Sequence, residues 1–274
     1  MHIKLISVFV SVLLLFTAAF PCKAIVKISP ERFELQADPQ KKYINGHFTI
    51  KIDGTEPVRY VVYADYFEIS EQGTLLTGVK PQKNLSLVDK IRFNPKEVTV
   101  MPNIPQKIRF TILNTKGIPE GESRCVLFLE DTKTKVQTLT DKRNNIAASI
   151  NLKTRIAIPI YLDKGDFKKT AEIKELDVLD SPQKEHLYEI NVSSLGNSKV
   201  RVEGTAQIIK DKTLLEEFPI GNRPVQAGTV GKIQGIIPVS NLTKGQKYTL
   251  RINLKYRDEK SKTRYLKEET EFVF

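Results

Sequence analysis

The chain has 274 residues, of which 43 are lysine or arginine and 32 are aspartate or glutamate, giving a formal charge of +11. That balance would suggest nucleic-acid binding in a cytoplasmic protein, but the sequence has no aromatic-rich basic motif for RNA or DNA. Its lysines are scattered, as on a solvated β surface. We therefore expect no nucleic-acid partner, whereas acidic partners and anionic envelope polymers stay open.

Residues 1–24 predict a signal peptide that is cleaved after Ala24. Lys4 supplies the positive charge, residues 5–20 form an apolar core, and "CKA" is a small-x-small cleavage site. A core of this length is shorter than the ~20 residues that span a bilayer. A retained N-terminal anchor and a lipoprotein linked through Cys22 stay open as alternatives. We expect an exported, periplasmic protein that starts near Ile25.

The first half of the mature chain, residues 25–162, predicts an immunoglobulin-like antiparallel β-sandwich. Runs rich in Val, Ile, Tyr, Phe and Thr, such as "HFTIKI" and "KIRFTILNT", alternate with turn segments such as "DGTEP" and "KGIPEG". About seven short strands in one such region are typical of this sandwich. Cys125 is the one cysteine after the signal peptide, so no intrachain disulfide is expected, and its apolar neighbours predict a buried side chain.

The stretch "IAASINL", residues 146–152, predicts a strand with one apolar face. Ile146, Ala148, Ile150 and Leu152 alternate with other residues at the period of two that strands require. The pattern alone leaves two interpretations open. The strand either completes a sheet of this protein or lends its apolar side chains to another protein.

The second half, residues 163–274, predicts another sandwich, so the chain is expected to be all-β with two immunoglobulin-like domains divided near residues 162–167. The runs "YEINVSS" and "KVRVEGTAQI" flank the polar turn "SSLGNS" and are expected to be neighbouring strands. The final "TEFVF" predicts a terminal strand tied into its sheet.

No pattern in the sequence points to catalysis, a metal or a cofactor. His47 and His186 have no second histidine or cysteine at ligand spacing. The acidic pairs at 216–217 and 268–269 are adjacent, so on strands their side chains point to opposite faces. We expect a protein that is not an enzyme.

Three stretches together resemble the periplasmic pilus chaperones, the PapD-like family of two immunoglobulin-like domains. They are "IVKISPERFEL" with Arg32, "IRFNPKEVTVMPNIPQKIRFTIL", and "IPEGESRCVLFLED" at residues 118–131. The matching positions of the second stretch are Phe93, Pro95, Gln106 and Arg109. The segment "IAASINL" then falls where the family has its G strand.

The resemblance implies that the strand at 146–152 completes an incomplete pilus subunit by strand addition, with Ile146, Ala148, Ile150 and Leu152 as the donor residues. It also implies two basic anchors for the carboxylate of the subunit's last residue. Arg32 matches the first anchor. The second, usually a lysine, falls on Ala157, and Arg155 could substitute for it two residues earlier on the same strand face.

The leading hypothesis is a periplasmic chaperone that caps fimbrial, pilus or other surface subunits without cofactor or catalysis. Its partners would be those subunits, and the sequence leaves open an outer-membrane usher and a self-capping dimer. The alternative hypothesis is a structural or adhesive immunoglobulin-like envelope protein without chaperone activity. An exposed strand at 146–152 favours the first hypothesis, and a buried one favours the second.

Overall fold

The computed structural model describes residues 25–81, 85–141, 146–180 and 186–274. The predicted signal peptide, residues 1–24, lies outside the described residues. Within the described ranges, no helix is long and apolar enough to cross a membrane.

The first part of the chain consists of strands joined by turns, with a short 3-10 turn at Thr115–Gly117. Its strands are β1 (Ile25–Ser29), β2 (Phe33–Gln36), β3 (Tyr43–Asp53), β4 (Val58–Asp65), β5 (Phe67–Ile69), β6 (Leu75–Thr77), β7 (Ile91–Asn94), β8 (Glu97–Val100), β9 (Gln106–Leu113), β10 (Gly121–Asp131), β11 (Lys135–Asp141), β12 (Ile146–Leu152) and β13 (Arg155–Lys164).

Two sheets of this part enclose one apolar core. The first sheet has the order β1-β3-β9-β7 and the second the order β2-β13-β10-β4-β8. In β3, Phe48, Ile50 and Ile52 are fully buried and alternate with more exposed residues, as expected for a strand with one face in a core. Cys125 is buried in the same core, and burial raises the pKa of its thiol.

The second part contains β14 (Ala171–Asp180), β15 (His186–Ser194), β16 (Val200–Lys210), β17 (Thr213–Val225), β18 (Val230–Ile236), β19 (Lys247–Arg257) and β20 (Thr263–Val273). Its sheets have the orders β14-β15-β18 and β17-β16-β19-β20, and a second apolar core lies between them. The predicted fold class, two immunoglobulin-like β-sandwiches, is confirmed. The boundary predicted after residue 162 falls inside β13, which continues to Lys164.

One sequence-based expectation about this second sandwich is wrong. The runs "YEINVSS" and "KVRVEGTAQI" correspond to β15 and β16, which do not pair, because β15 lies between β14 and β18 while β16 lies between β17 and β19. The turn between them crosses from one sheet to the other. Alternation identifies a strand but does not say which sheet it joins. The predicted terminal strand is confirmed as β20.

A third apolar cluster lies on the outside of the first sandwich, beneath a hairpin that also contacts the second sandwich. The hairpin β5–β6 covers the outer face of the second sheet, where Phe67 packs edge-to-face on Tyr161 with ring centroids 5.4 Å apart. The same hairpin contacts the second sandwich, because the backbone N–H of Ile69 donates to Gln226 Oε1 at 2.9 Å. The N–H of Lys232 likewise donates to the carbonyl oxygen of Glu71 at 2.5 Å. The hairpin therefore contacts both sandwiches.

We predict that Phe67→Ala lowers the free energy of unfolding by about 3–5 kcal/mol, because it removes a fully buried aromatic ring and leaves a cavity. Leu76→Ala in the same hairpin is the matched control, since Leu76 is largely exposed. Urea unfolding of both variants checks the prediction. Equal, small losses for the two variants would contradict the role assigned to the hairpin.

Candidate functional site

The strand predicted at residues 146–152 is confirmed as β12, and it lies outside both sandwiches. It pairs with β11 in a two-stranded antiparallel sheet, and neither strand pairs with any other described strand. The hairpin continues the β10–β13 pair, because the N–H of Asp131 donates to the carbonyl oxygen of Thr154 at 2.9 Å where the two pairs meet. It therefore projects from the end of the first sandwich.

One face of this hairpin carries exposed apolar side chains. Ile150 and Leu152 are 43% and 46% exposed, and the strand alternation places residues 146 and 148 on the same face of the backbone. Val136 is 63% exposed and is paired with Asn151, so it belongs to the opposite face. The apolar face that the sequence predicts is thus turned to solvent at the two positions whose side chains are described.

The outer edge of β12 and of the start of β13 has no strand partner among the described residues. The parallel strand β2 pairs with β13 from Ile160 to Asp163, so the edge stays open over Arg155–Pro159. The first pair of that ladder joins Phe33 to Ile160, and Arg32 directly precedes it. Arg32 therefore lies where the open edge ends.

Arg32 also lines a cavity of about 320 Å³ between the sandwiches. The lining combines β2 with the connecting segment and with the face of the second sandwich formed by β16, β17, β19 and β20. The residues are Arg32, Glu34, Lys169, Lys199, Arg201, Glu203, Asn222, Lys255, Tyr256, Arg257 and Thr263. Six of these side chains are basic and two are acidic. We call this cavity the cationic cleft.

Glu34 links the first sandwich to the cations of the second. Its Oε1 atom accepts from Arg201 Nε at 3.0 Å and lies 3.5 Å from Arg32 Nε. Burial raises the pKa of the Glu34 carboxyl, but the charges of Lys199 and Arg201 outweigh burial, and the pKa ends below its ordinary value of 4.5. Glu34 is therefore ionised at neutral pH, and the basic side chains of the cleft still outnumber the acidic ones.

Lys199 is the buried cation of the cleft. Its side chain is 1% exposed, and its Nζ lies 3.8 Å from the centroid of the Tyr161 ring and 3.6 Å from Glu122 Oε2. Nζ has no hydrogen-bond partner within the described part of the chain. Burial lowers the pKa of Lys199, although Glu122 and Glu34 act in the opposite direction. An ammonium group without hydrogen bonds in such a place costs stability.

A buried ion pair lies directly behind the cleft. Arg124 Nη1 donates to Glu122 Oε1 at 3.0 Å, and Arg124 Nε donates to the carbonyl oxygen of Phe67 at 3.0 Å. Glu122 Oε2 accepts from the backbone N–H of Lys199 at 3.0 Å. Glu122 thus has two hydrogen-bond donors that do not depend on the Lys199 side chain.

The structure does not bring the two predicted anchor arginines together. The guanidinium of Arg155 lies over the Phe128 ring, 4.7 Å from its centroid, and Nη2 donates to Thr77 Oγ1 at 3.3 Å. Arg155 does not line the cleft that contains Arg32. Ala157, where the resemblance places a lysine, packs against the Phe67 cluster instead.

The cations that do accompany Arg32 were not predicted from the sequence. Lys199 and Arg201 alternate in "SKVRV", and Lys255 and Arg257 alternate in "LKYRD". A period of two places each pair on one strand face, so the sequence carries the signal of a basic face. Its position beside Arg32 depends on the packing of the two sandwiches, which periodicity does not report.

The other candidate residues take structural positions. His47 lies within β3 and His186 begins β15, where its ring packs against Phe274 with centroids 5.2 Å apart. Across the described ranges, no three His, Cys, Asp or Glu side chains are grouped so that they could hold a metal ion.

No protein-family model and no curated protein matches the sequence. Among solved structures, the chain is similar to the CupB2 chaperone of Pseudomonas aeruginosa, at 10% identity and a TM-score of 0.43, over 90% of this chain and 100% of that one. It is also similar to a chaperone–tip adhesion subunit pre-assembly complex, CsuC–CsuE, from Csu pili of Acinetobacter baumannii, at 11% identity and a TM-score of 0.45, over 89% and 97% of the chains. A third similar structure is the class 5 fimbriae chaperone CfaA, at 12% identity and a TM-score of 0.41, over 89% and 99%.

We predict that the Glu34 ion pairs stabilise the fold at neutral pH and are lost in acid. The lowered pKa of Glu34 gives stability that is present above pH 4.5 and is lost as the pH falls through the folded-state value. Glu34→Gln should be less stable than the original protein at neutral pH by no more than about 1 kcal/mol, because Glu34 is partly exposed. Urea unfolding at neutral pH and at about pH 3.5 checks this. A difference that is the same at both pH values would contradict it.

We predict that Lys199→Met keeps or increases the free energy of unfolding, with a gain of up to about 1–2 kcal/mol, because it removes a buried charge. Glu122 retains Arg124 and the Lys199 backbone N–H, and Glu34 retains Arg201. The same urea titration measures the change. A loss of about 3 kcal/mol would instead show that Lys199 is needed to compensate Glu122.

Proposed function

We propose that the protein is a periplasmic assembly chaperone that binds a surface subunit by lending it the open edge of β12 and β13. The observation that carries the proposal is the exposed apolar face at Ile150 and Leu152, on a strand whose outer edge has no described partner. The resemblance of the sequence to the pilus chaperones supports the same function. The protein would act by binding alone, without cofactor or catalysis.

The driving force would be strand addition. An open edge presents N–H and C=O groups that a partner strand can pair with. Alternate side chains can then enter pockets of the partner, and each fully buried Ile or Leu contributes about 1.5–3 kcal/mol relative to an exposed one. We propose Ile146, Ala148, Ile150 and Leu152 as these donor residues.

The position of Arg32 favours one orientation of the bound strand. β2 runs parallel to β13 along the same edge, and Arg32 precedes its first residue. A client strand that runs parallel to β13 would end with its carboxylate at Arg32, whereas an antiparallel strand would bring an N-terminal ammonium group to the same cation. We propose that Arg32 anchors the terminal carboxylate of the client and that the neighbouring cleft supplies the second cation.

Arg155 is less suited to be that second cation than the resemblance implies. Phe33 pairs with Ile160, so Arg32 is level with Pro159. Arg155 lies four residues before Pro159, which is about 13 Å along a strand at 3.3 Å per residue. We propose instead that Arg155 holds the start of β13 over Phe128 and Thr77, the two groups that its guanidinium contacts. Export to the periplasm and interaction with an outer-membrane usher are parts of the proposal that rest on the sequence.

We predict that Ile150→Asp abolishes capture of the client, because it places a charge where an apolar side chain must enter a pocket. Val136→Asp is the matched control, since it adds the same charge to the opposite face of the same hairpin, at a position that is at least as exposed. The measurement is a native pull-down from periplasmic extract with the tagged mature protein and both variants, after circular dichroism has verified that each variant is folded.

A β-rich partner retained by the original protein and by Val136→Asp, and lost with Ile150→Asp, supports strand donation. Equal loss in both variants, or no partner with any form, contradicts the proposal and favours a structural or adhesive envelope protein. Recovery of the chain itself as the retained partner identifies a self-capping dimer through this edge.

A further inference from the structure

We infer that the cationic cleft binds acidic side chains near the C-terminus of the client, so that the protein selects clients with an acidic tail. This inference rests on the proposed function, because it places the client strand along β12 and β13. It goes further by assigning the second sandwich a binding role and by giving the client a chemical character.

The charge of the cleft exceeds what one terminal carboxylate can neutralise. Six basic side chains face two acidic ones in the lining. Part of the excess is met from behind, where Lys169 Nζ lies 2.7 Å from Asp163 Oδ2 and Lys199 Nζ lies 3.6 Å from Glu122 Oε2. Arg124 in turn pairs with Glu122. The cleft therefore keeps an excess of positive charge after Arg32 has paired with the single charge of a chain end.

Lys199 indicates that the cleft is a binding site. The residue borders the cavity, and its Nζ is buried and has no hydrogen-bond partner among the described residues. A lysine retained in such a position at a cost in stability is explained if an acceptor arrives with a ligand. A carboxylate in the cleft would supply that acceptor and would meet cations that are already in place.

The size and position of the cleft fit a segment of chain better than a single small group. Its volume of about 320 Å³ is that of roughly ten waters at about 30 Å³ each. It begins at Arg32, where the open edge ends, and continues to Lys255 and Arg257 on β19. The last side chains of a client that ends at Arg32 are the groups that would lie closest to it.

The test uses three synthetic peptides of about ten residues, the length of a long strand, in which Thr and Val alternate. Peptide A ends in Glu-Val-Glu-Val with a free carboxylate, and peptide B ends in Gln-Val-Gln-Val with a free carboxylate. Peptide C is peptide B with an amidated end. Binding to the whole mature protein is measured by isothermal titration calorimetry at about 0.05 M NaCl, where charges are weakly screened, and at about 0.5 M NaCl, where they are strongly screened.

We expect peptide A to bind about 10- to 100-fold more tightly than peptide B, the range for a hydrogen-bonded charge, and the preference to shrink at high salt. Lys199→Met should remove most of that preference without unfolding the protein. Lys247→Met, a matched exposed lysine in β19 outside the cleft lining, should leave the preference unchanged.

Equal affinities for peptides A and B would overturn the inference while leaving the proposed function intact, provided that peptide B still binds better than C and is lost with Ile150→Asp. If Ile150→Asp leaves all binding unchanged, or no peptide binds, the proposed function fails and the inference fails with it. Lys199-dependent binding of inorganic phosphate together with equal affinities for A and B would identify a site for a free small anion instead.

Discussion

The relative position of the two sandwiches depends on charges that are buried between them. Glu122 and Arg124 are almost completely buried, and each would be costly there without the other. Glu122 also accepts the backbone N–H of Lys199 from the second sandwich, and Ser198 Oγ donates to Asp163 Oδ1 at 2.6 Å. These directional contacts require one mutual arrangement, which apolar packing alone would specify less sharply. The cleft, its cations and its distance from the open edge all follow from that arrangement.

Sequence patterning predicted the local structure well because alternation is a local property. The strand at residues 146–152, the buried Cys125 and the terminal strand β20 were all available from the order of apolar residues. The cleft was not, because Arg32 and Arg257 are separated by most of the chain and meet only through the packing of two domains. The wrong pairing of β15 with β16 has the same origin, since no feature of the turn between them says that the chain changes sheets. Arg155 shares a strand face with Ala157, but only the structure places it over Phe128 and away from Arg32.

The two kinds of strand edge in this molecule differ in chemistry. β20 is an edge of its sheet and carries Lys267, Glu268, Glu269 and Glu271, and charges of this kind discourage pairing with other chains. The segment 146–152 contains no charged residue, although its edge is equally open. An open edge without charged residues can pair with a strand of another chain. The absence of charge in the segment 146–152 therefore suits a strand that binds a partner.

The parallel ladder between β2 and β13 has a consequence for how a client can be seated. β2 occupies the edge of β13 from Ile160 onward, so a client strand that pairs along β12 cannot extend past that point. The position of its last residue therefore fixes which client residue pairs with which residue of β12. Side chains alternate along a strand, and a shift by one residue moves every side chain to the other face. A single residue added to the end of a client would therefore move all of its apolar side chains to the opposite face of the sheet. Under the proposed function, the edge would accept a strand at the end of a chain and reject an internal segment of the same composition.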